Sequence, residues 1–346
     1  MRALGPSFLA LQISPQDSIR RNQFALAKAQ IELSTQRHSD VLLELSGQTG
    51  RNIRWHSELD NTEANIRANE MHSTRADVMQ TSLGVASKLA SEFLTELIGS
   101  RGAEHGRQII KGQAKNALAM LKDALNVDID GVFLFAGRNQ ALPPISDFAA
   151  GAAEVQFDSL FLAEFGVTKT DPSVQNISPS QIQTFMGGNL AAMFESPNWE
   201  TVISNASGDN VRAYVSKGES LDILANANEA PVRNLYAAIV AVSEIAQGDL
   251  NDASFKQLVD IAASKVSSAV QGFADMQARV GLNQKSLGEA TNQLNAKKFW
   301  LNDAILKTES VDTYEVASRI NGLMTQLEAS YSVTSRMSRI SLLNYL

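Results

Sequence analysis

Hydrophobic residues recur at every seventh position through much of the C-terminal part of the chain. The repeat consists of Val259, Val266, Phe273, Val280, Leu287, Leu294 and Leu301. Three positions after each of them stand mostly small side chains: Ala262, Ala269, Met276, Asn283, Ala290, Lys297 and Ala304. A strict heptad repeat of this kind is typical of a coiled-coil seam. An ordinary bundle helix is the alternative, and it is less favoured because the apolar stripe of a straight helix drifts away from heptad spacing.

Both ends of the chain also carry apolar residues at helical spacing. Near the N-terminus, Ile19, Leu26 and Leu33 follow one another at heptad spacing. A helix N-cap is predicted at Ser310 or Asp312, and apolar residues continue from there to the end of the sequence. They include Leu323, Leu327, Tyr331, Met337, Ile340, Leu342, Leu343 and Leu346. A chain end this apolar must be covered by the rest of the chain or by another molecule, so we interpret both sets as an assembly interface.

The distribution of proline separates two helical arms from a different middle region. The chain has eight prolines, with none between residues 16 and 142 and none after residue 231. Because proline interrupts helix interiors, both arms are able to form very long helices. In contrast, the apolar run "DGVFLFAGRN" that begins at Asp130 predicts a strand or a hairpin, and residues 141–229 predict short mixed elements.

Together these patterns predict a mainly α fold. Long N- and C-terminal helices form an antiparallel coiled-coil bundle, and a small mixed α/β or β-rich domain is inserted in the middle. Three parts are expected. Residues 1–50 with 305–346 form terminal helices of an assembly core, residues 51–140 with 230–304 form a coiled-coil helical domain, and residues 141–229 form an inserted outer domain.

Composition narrows the possible chemistry. The formal net charge is -7, which argues against a nucleic-acid binder, because such proteins need clustered basic residues. No apolar run approaches the roughly 20 residues that span a membrane, so we expect no membrane insertion. Cysteine is absent, and no histidine has a partner at metal-ligand spacing; His56 and His72 are interpreted as solvated. With no catalytic constellation, we expect neither an enzyme nor a cofactor.

Four stretches carry a resemblance to a known family. They are the C-terminal segments Leu327–Tyr331 ("LEASY") and Ser341–Leu346 ("SLLNYL"), the run Asp130–Gly137 ("DGVFLFAG"), the stretch Asn226–Val242, and the N-terminal "ELSTQRHSDVLLELSGQTGRN". On these residues the chain resembles the flagellin superfamily, and within it the hook–filament junction proteins (hook-associated protein 3) of the alphaproteobacterial type. The C-terminal segments are the most specific of the four.

The resemblance implies a structural protein of the bacterial flagellum, located outside the cell at the boundary between hook and filament. Such proteins pass unfolded through the flagellar type III channel without a cleaved signal. The partners implied are further copies of the chain in a ring or helical tube, an adjacent hook-associated protein, flagellin and an export chaperone. It also implies that the terminal helices pair only in the assembled tube and that their apolar residues serve assembly and chaperone binding.

Two other functions remain as alternatives. A flagellin that builds the filament is the alternative within the same class, but filament flagellins carry an "LSSGLRIN…DDAAG" motif where this chain has "LSTQRHSDVLLELSG". A soluble coiled-coil signalling protein is an alternative of a different class. It would require a hairpin tip within the heptads, whereas here the middle is predicted to be an insert that contains strands.

Overall fold

The computed structural model describes most of the chain. The residues described are 8–103, 105–149, 151–210, 212–216, 219–222, 225–246 and 250–343. In chain order the helices are α1 (Phe8–Thr35), α2 (Val41–Glu44), α3 (Thr49–Ser100), α4 (Gly106–Leu125), α5 (Ala152–Phe165), α6 (Pro179–Gly187), α7 (Asn189–Met193), α8 (Asn198–Val202), α9 (Ala230–Ile245), α10 (Asp252–Glu309) and α11 (Thr313–Leu343). The strands are β1 (Asp128–Ile129), β2 (Val132–Phe133), β3 (Arg212–Ser216) and β4 (Glu219–Asp222). The predicted mainly α fold with long terminal helices is confirmed.

The chain divides into two compact units. Unit 1 combines residues up to Ala64 with residues from Leu294 onward, and unit 2 comprises Asn65–Gln293. The helices α3 and α10 contribute residues to both units. The three-part division predicted from the sequence has boundaries that differ from those of these two units, and it stays a prediction.

Unit 2 has an apolar core centred on α9, which packs against α4. Nearly every residue of α9 from Leu235 onward is buried, so this helix forms the interior of the unit. Aromatic side chains add to the same core. Phe157, Phe161 and Phe185 contact one another with ring centroids about 6 Å apart, and Trp199 meets Tyr236 edge-on at 5.3 Å.

The run from Asp130 forms a hairpin turn, as its sequence predicts. β1 and β2 pair antiparallel through a two-residue loop, in which Asp130 and Gly131 have φ values of 53° and 78°. Positive φ at both loop positions matches the right-handed twist of the flanking strands, and an Asp-Gly pair adopts it readily. A second antiparallel hairpin joins β3 to β4.

Between residues 141 and 229 the mixed α/β version of the prediction holds, and the β-rich version does not. The region is built from α5, α6, α7 and α8 together with the hairpin of β3 and β4. In α5, Phe157 and Phe161 are one helical turn apart and both are buried. A spacing of four residues places both rings on one face of a helix, whereas a strand would require a spacing of two.

In unit 1, α1 packs lengthwise against α11. The first helical turn of α11 is capped as predicted, because the Asp312 carboxylate accepts hydrogen bonds from the backbone N–H groups of Tyr314 and Glu315. None of the helices in the described ranges has a window long and apolar enough to cross a membrane.

Candidate assembly surface

The α1–α11 pair is antiparallel, as its side-chain contacts show. Gln23 Nε2 donates to the Tyr331 hydroxyl oxygen at 2.7 Å, and Arg319 donates to Glu32 Oε2 at 3.1 Å. Residue numbers therefore fall along α11 as they rise along α1. Both helices belong to unit 1. This pair carries all the residues predicted to form the assembly interface for which the structure gives a position.

The predicted interface residues do not all lie on the same side of the pair. Leu327 is buried, Ile19, Leu26 and Leu323 are half-buried, and Leu33 and Tyr331 are exposed. Met337, Ile340, Leu342 and Leu343 lie in the last turns of α11, but their side chains fall outside what is described, and Leu346 lies outside the described residues. The structure thus brings part of the predicted set into the helix pair and leaves other members on its surface.

Sequence reasoning missed several exposed apolar side chains on the same two helices. Phe24 on α1 is 72% exposed, Ile31 is also exposed, and so are Met324 and Val333 on α11. Singly exposed apolar residues are common on protein surfaces, but Phe24 and Ile31 are seven residues apart and share one face of α1, which suits burial against another molecule. Phe24 lies two residues before the predicted interface residue Leu26, and this proximity was the signal that the sequence offered.

The turns that follow α1 and precede α11 are held together by their backbones. We call residues 36–39 and 309–312 the elbow. His38 N–H donates to the Glu309 carbonyl oxygen at 2.9 Å, and Val311 N–H donates to the Gln36 carbonyl oxygen at 3.1 Å. Arg37 and Ser310 form the bridge between these two bonds. The start of α11 is thereby fixed next to the end of α1.

A buried carboxylate reinforces the elbow. The Glu309 side chain is 4% exposed and accepts hydrogen bonds from Arg37 at 3.1 Å and Asn52 at 3.0 Å. His56 Nε2 lies 2.7 Å from Glu309 Oε1. Burial opposes ionisation of Glu309, but the bonds from His56 and Asn52 and the charges of His56 and Arg37 outweigh it, so the pKa of Glu309 lies below its ordinary value.

A second buried carboxylate lies near the elbow, on α1. Glu32 is 2% exposed, accepts from the backbone N–H of Ser39 at 3.3 Å and from its hydroxyl at 3.2 Å, and receives Arg319 from α11. The sequence analysis did not find Glu32 or Glu309. The His56 side chain, which was interpreted as solvated, is 45% exposed and also contacts Glu309. The sequence offered only a weak signal for the burial of Glu32, namely its position three residues after Ala29, on the buried face of α1.

The predicted coiled-coil seam lies inside the fold. Val259, Val266, Phe273, Val280, Leu287, Leu294 and Leu301 are all buried. The first five belong to unit 2 and the last two to unit 1. Their burial agrees with an apolar seam, while their role as a coiled-coil seam stays a prediction. Within the described ranges, no group of three or more histidine, aspartate and glutamate side chains is arranged to hold a metal ion.

Comparison with protein families decides where the chain belongs. Residues 7–140 match the bacterial flagellin N-terminal helical region, and residues 263–346 match the bacterial flagellin C-terminal helical region. The two matches together cover more than half of the sequence, in the order that flagellins have. The chain belongs to the flagellin superfamily. It is therefore a structural subunit of the bacterial flagellum, in a family whose members self-assemble outside the cell.

Comparison with individual proteins adds little to the family assignment. A protein from Vibrio parahaemolyticus described as a candidate flagellar hook-associated protein has 12% sequence identity, and the match covers 76% of this chain and 95% of that chain with a TM-score of 0.48. A likeness at this level carries no argument about function. No curated protein sequence matches the chain.

For this flagellin-superfamily chain, the matched ranges contain the whole candidate site. The α1–α11 pair, the elbow and its two buried carboxylates fall within residues 7–140 or 263–346. The region between these matches holds α5, α6, α7, α8, β3, β4 and α9. The part that the chain has in common with its family is thus everything from α1 to β2, together with α10 from residue 263 onward and α11.

Proposed function

We propose that this chain is the subunit that joins the flagellar hook to the flagellin filament. It is exported unfolded by the flagellar type III system and assembles with its own copies through its terminal helices. The observation that carries the self-assembly part is the α1–α11 pair, which exposes Phe24 and Ile31 on α1 and Met324 on α11. The junction position is supported by the sequence between residues 33 and 47, which departs from the motif of filament flagellins.

Assembly is driven by burial of the apolar surface that the pair leaves exposed. Each Å² of apolar surface removed from water contributes about 25 cal/mol, so several side chains of this size provide substantial binding free energy. Tyr331 is exposed and lies seven residues after Met324, so it would contribute to the same face of α11, whereas Leu33 is exposed on the side of α1 opposite Phe24. The last turns of α11 would extend the exposed apolar surface. Removing residues 337–346 is expected to leave unit 2 folded and to prevent assembly.

The proposed position also defines the partners. A junction subunit contacts an adjacent hook-associated protein on one side and flagellin on the other, and an export chaperone covers its terminal helices before secretion. In this proposal residues 141–229 form the outer domain and face away from the tube.

A filament subunit is the second candidate function. The observation in its favour is that both matched regions are described for bacterial flagellin itself. The coiled-coil signalling alternative is not retained, because both terminal regions of the chain match the flagellin family.

The position of the subunit is tested by immunogold electron microscopy of intact flagella. An antibody raised against residues 141–229 is applied to wild-type cells and to cells in which the gene is deleted. Junction subunits give label only at the boundary of hook and filament, and the deletion strain gives none. Label along the entire filament would contradict the junction proposal and favour the filament subunit.

A further inference from the structure

Unit 2 contains a cleft that the proposed function does not use. It lies between α4, the turn at Ser146–Ala149, the start of α5 and α9, and has a volume of about 260 Å³. This volume lies just below the roughly 300 Å³ at which pockets for drug-sized ligands begin, so the cleft has room for one small ring and not for a larger ligand. Part of its wall is apolar, formed by Leu118, Ala119, Phe148 and Ala149.

The Tyr236 side chain supplies the most informative group in this cleft. The residue is 1% exposed, and its ring packs against Trp199 and Phe194. Tyr236 lines the cleft, and within the described ranges its hydroxyl makes no hydrogen bond, so it is left for a partner inside the cleft. Burial and, next, the negative charge of Asp147 raise the pKa of Tyr236. Because Tyr236 and Asp147 both line the cleft, the Tyr236 hydroxyl is able to donate a hydrogen bond to a ligand there and to accept one.

The charged groups around the cleft are balanced against one another. Lys122 Nζ pairs with Asp147 Oδ1. Lys169 is largely buried and pairs with Glu154 at 3.1 Å and with Glu244 at 2.7 Å. A cationic ligand would have to compete with Lys122 or Lys169 for these carboxylates. An anionic ligand would meet the three carboxylates of Asp147, Glu154 and Glu244, which outnumber the two lysines that line the cleft.

We propose that this cleft binds one neutral sugar ring. Sugar hydroxyls donate and accept hydrogen bonds, so they match the Tyr236 hydroxyl and the remaining oxygen of Asp147. Lys115, which lines the cleft and has no ion-pair partner among the described residues, adds a donor at the rim. The C–H faces of a sugar ring pack against Leu118 and Phe148. The ligand is either a free sugar or the terminal sugar of a glycan, and both have this chemistry.

Binding is tested by saturation-transfer NMR on the full-length chain. The probes are glucose, galactose, N-acetylglucosamine and a disaccharide that ends in each of them. We expect saturable binding of at least one sugar, with a dissociation constant in the millimolar range, as few polar contacts provide. Equal binding of the monosaccharide and its disaccharide indicates a site for the terminal sugar of a glycan. Binding of the monosaccharide alone indicates a free sugar.

Two tyrosine variants make the test specific. Tyr236→Phe keeps the buried ring and removes only the hydroxyl, and should weaken binding at least about threefold. Tyr314→Phe is the matched control, because Tyr314 is 88% exposed and lies outside the cleft, and its binding should equal that of the wild type. Unchanged melting of Tyr236→Phe shows that it is folded.

Three results would overturn the proposal. They are the absence of saturable binding by every sugar, equal affinity of the wild type and Tyr236→Phe, and tighter binding of a charged probe such as acetate or choline than of any sugar. Because the measurement uses the isolated chain, failure here leaves the junction proposal intact. Conversely, label along the entire filament would overturn the junction proposal and leave the cleft proposal standing.

Discussion

The two units bury different proportions of apolar side chains where α3 passes through them. In unit 2, α3 buries mostly apolar residues, among them Met79, Leu83 and Phe93, together with a few polar ones. In unit 1, the buried residues of α3 are Asn52 and Thr62, both polar. The interior of unit 1 also holds the carboxylates of Glu32 and Glu309. Unit 2 buries the Glu244 carboxylate as well, but there it lies beside a large core of aliphatic and aromatic residues.

This difference assigns the units different sources of stability. The stability of an apolar core depends mainly on how completely its volume is filled, and many side-chain arrangements achieve this. The stability of unit 2 therefore comes from its own filled core. A buried carboxylate stabilises the fold only while each of its hydrogen-bond partners stays in place. It therefore selects one specific geometry and adds little to the free energy of unfolding. Unit 1 therefore has a well-defined elbow and little apolar core, and we propose that burial against other subunits completes it.

The largest expected effect on folding comes from a cavity in the core of unit 2. Phe273→Ala removes a ring that is fully buried on α10 and should lower the free energy of unfolding by about 3 to 5 kcal/mol. Phe299→Ala is the matched control on the same helix, because Phe299 is 78% exposed. Urea unfolding followed by circular dichroism measures both. Equal losses in the two variants would contradict the burial difference.

A smaller loss is expected when the charge of the elbow is removed. Glu309→Gln keeps the shape of the side chain but weakens its bonds to Arg37, Asn52 and His56, and should cost about 1 to 3 kcal/mol. Glu315→Gln is the control, since Glu315 is exposed and pairs with Arg319 on the surface of α11. Hydrogen exchange should place the loss in unit 1. A loss in unit 2, or none at all, would show that the buried carboxylate does not support the elbow.

The same carboxylate predicts a dependence on pH. The pKa of Glu309 is lower in the folded chain than in the unfolded chain, so its stabilisation is complete above the ordinary glutamate pKa of about 4.3. It is lost as the pH falls from there through the lowered folded pKa. The free energy of unfolding, measured by urea titration at a series of pH values in this acidic range, should fall less steeply with decreasing pH for Glu309→Gln than for the wild type. Identical slopes would mean that Glu309 does not titrate differently on folding.

The smallest effect on the monomer, combined with a large effect on assembly, is expected at Phe24. Phe24→Ser changes a side chain that is mostly exposed, so the free energy of unfolding should change by no more than about 0.5 kcal/mol. Lost apolar burial should reduce assembly with other subunits in sedimentation or electron microscopy. Gln30→Ser is the control, because Gln30 is exposed on the same helix but removes no apolar surface when it is replaced. Normal assembly of Phe24→Ser would contradict a role of this surface.

Sequence patterns predicted the long helices and the seam because both depend on local periodicity. The heptad residues from Val259 to Leu301 are buried, and the Asp130-Gly131 pair forms the hairpin turn. The elbow was not predictable in the same way. Glu32 and Glu309 lie far apart in the sequence and look like solvated residues, and only the fold brings Arg319 and Arg37 to them. Polar contacts between distant residues leave no period in the sequence.

The middle region shows a further limit of pattern reading. Lys169 was not singled out, although it holds Glu154 and Glu244 together in the interior of unit 2. Its partners come from two separate helices, and a single lysine in a loop gives no signal of pairing. The predicted assembly residues are a third case, because spacing alone does not tell which side of α1 faces α11. Leu33 is exposed while its neighbour Glu32 is buried.

Hydrogen exchange on the monomer and on the assembled flagellar structure tests the contrast between the units most directly. The account predicts slow exchange of α9 in both states. It predicts faster exchange of α1 and α11 in the monomer and strong protection of both helices after assembly, because neighbouring subunits then bury their exposed apolar side chains. Protection of α1 and α11 equal to that of α9 in the monomer, unchanged by assembly, would contradict it.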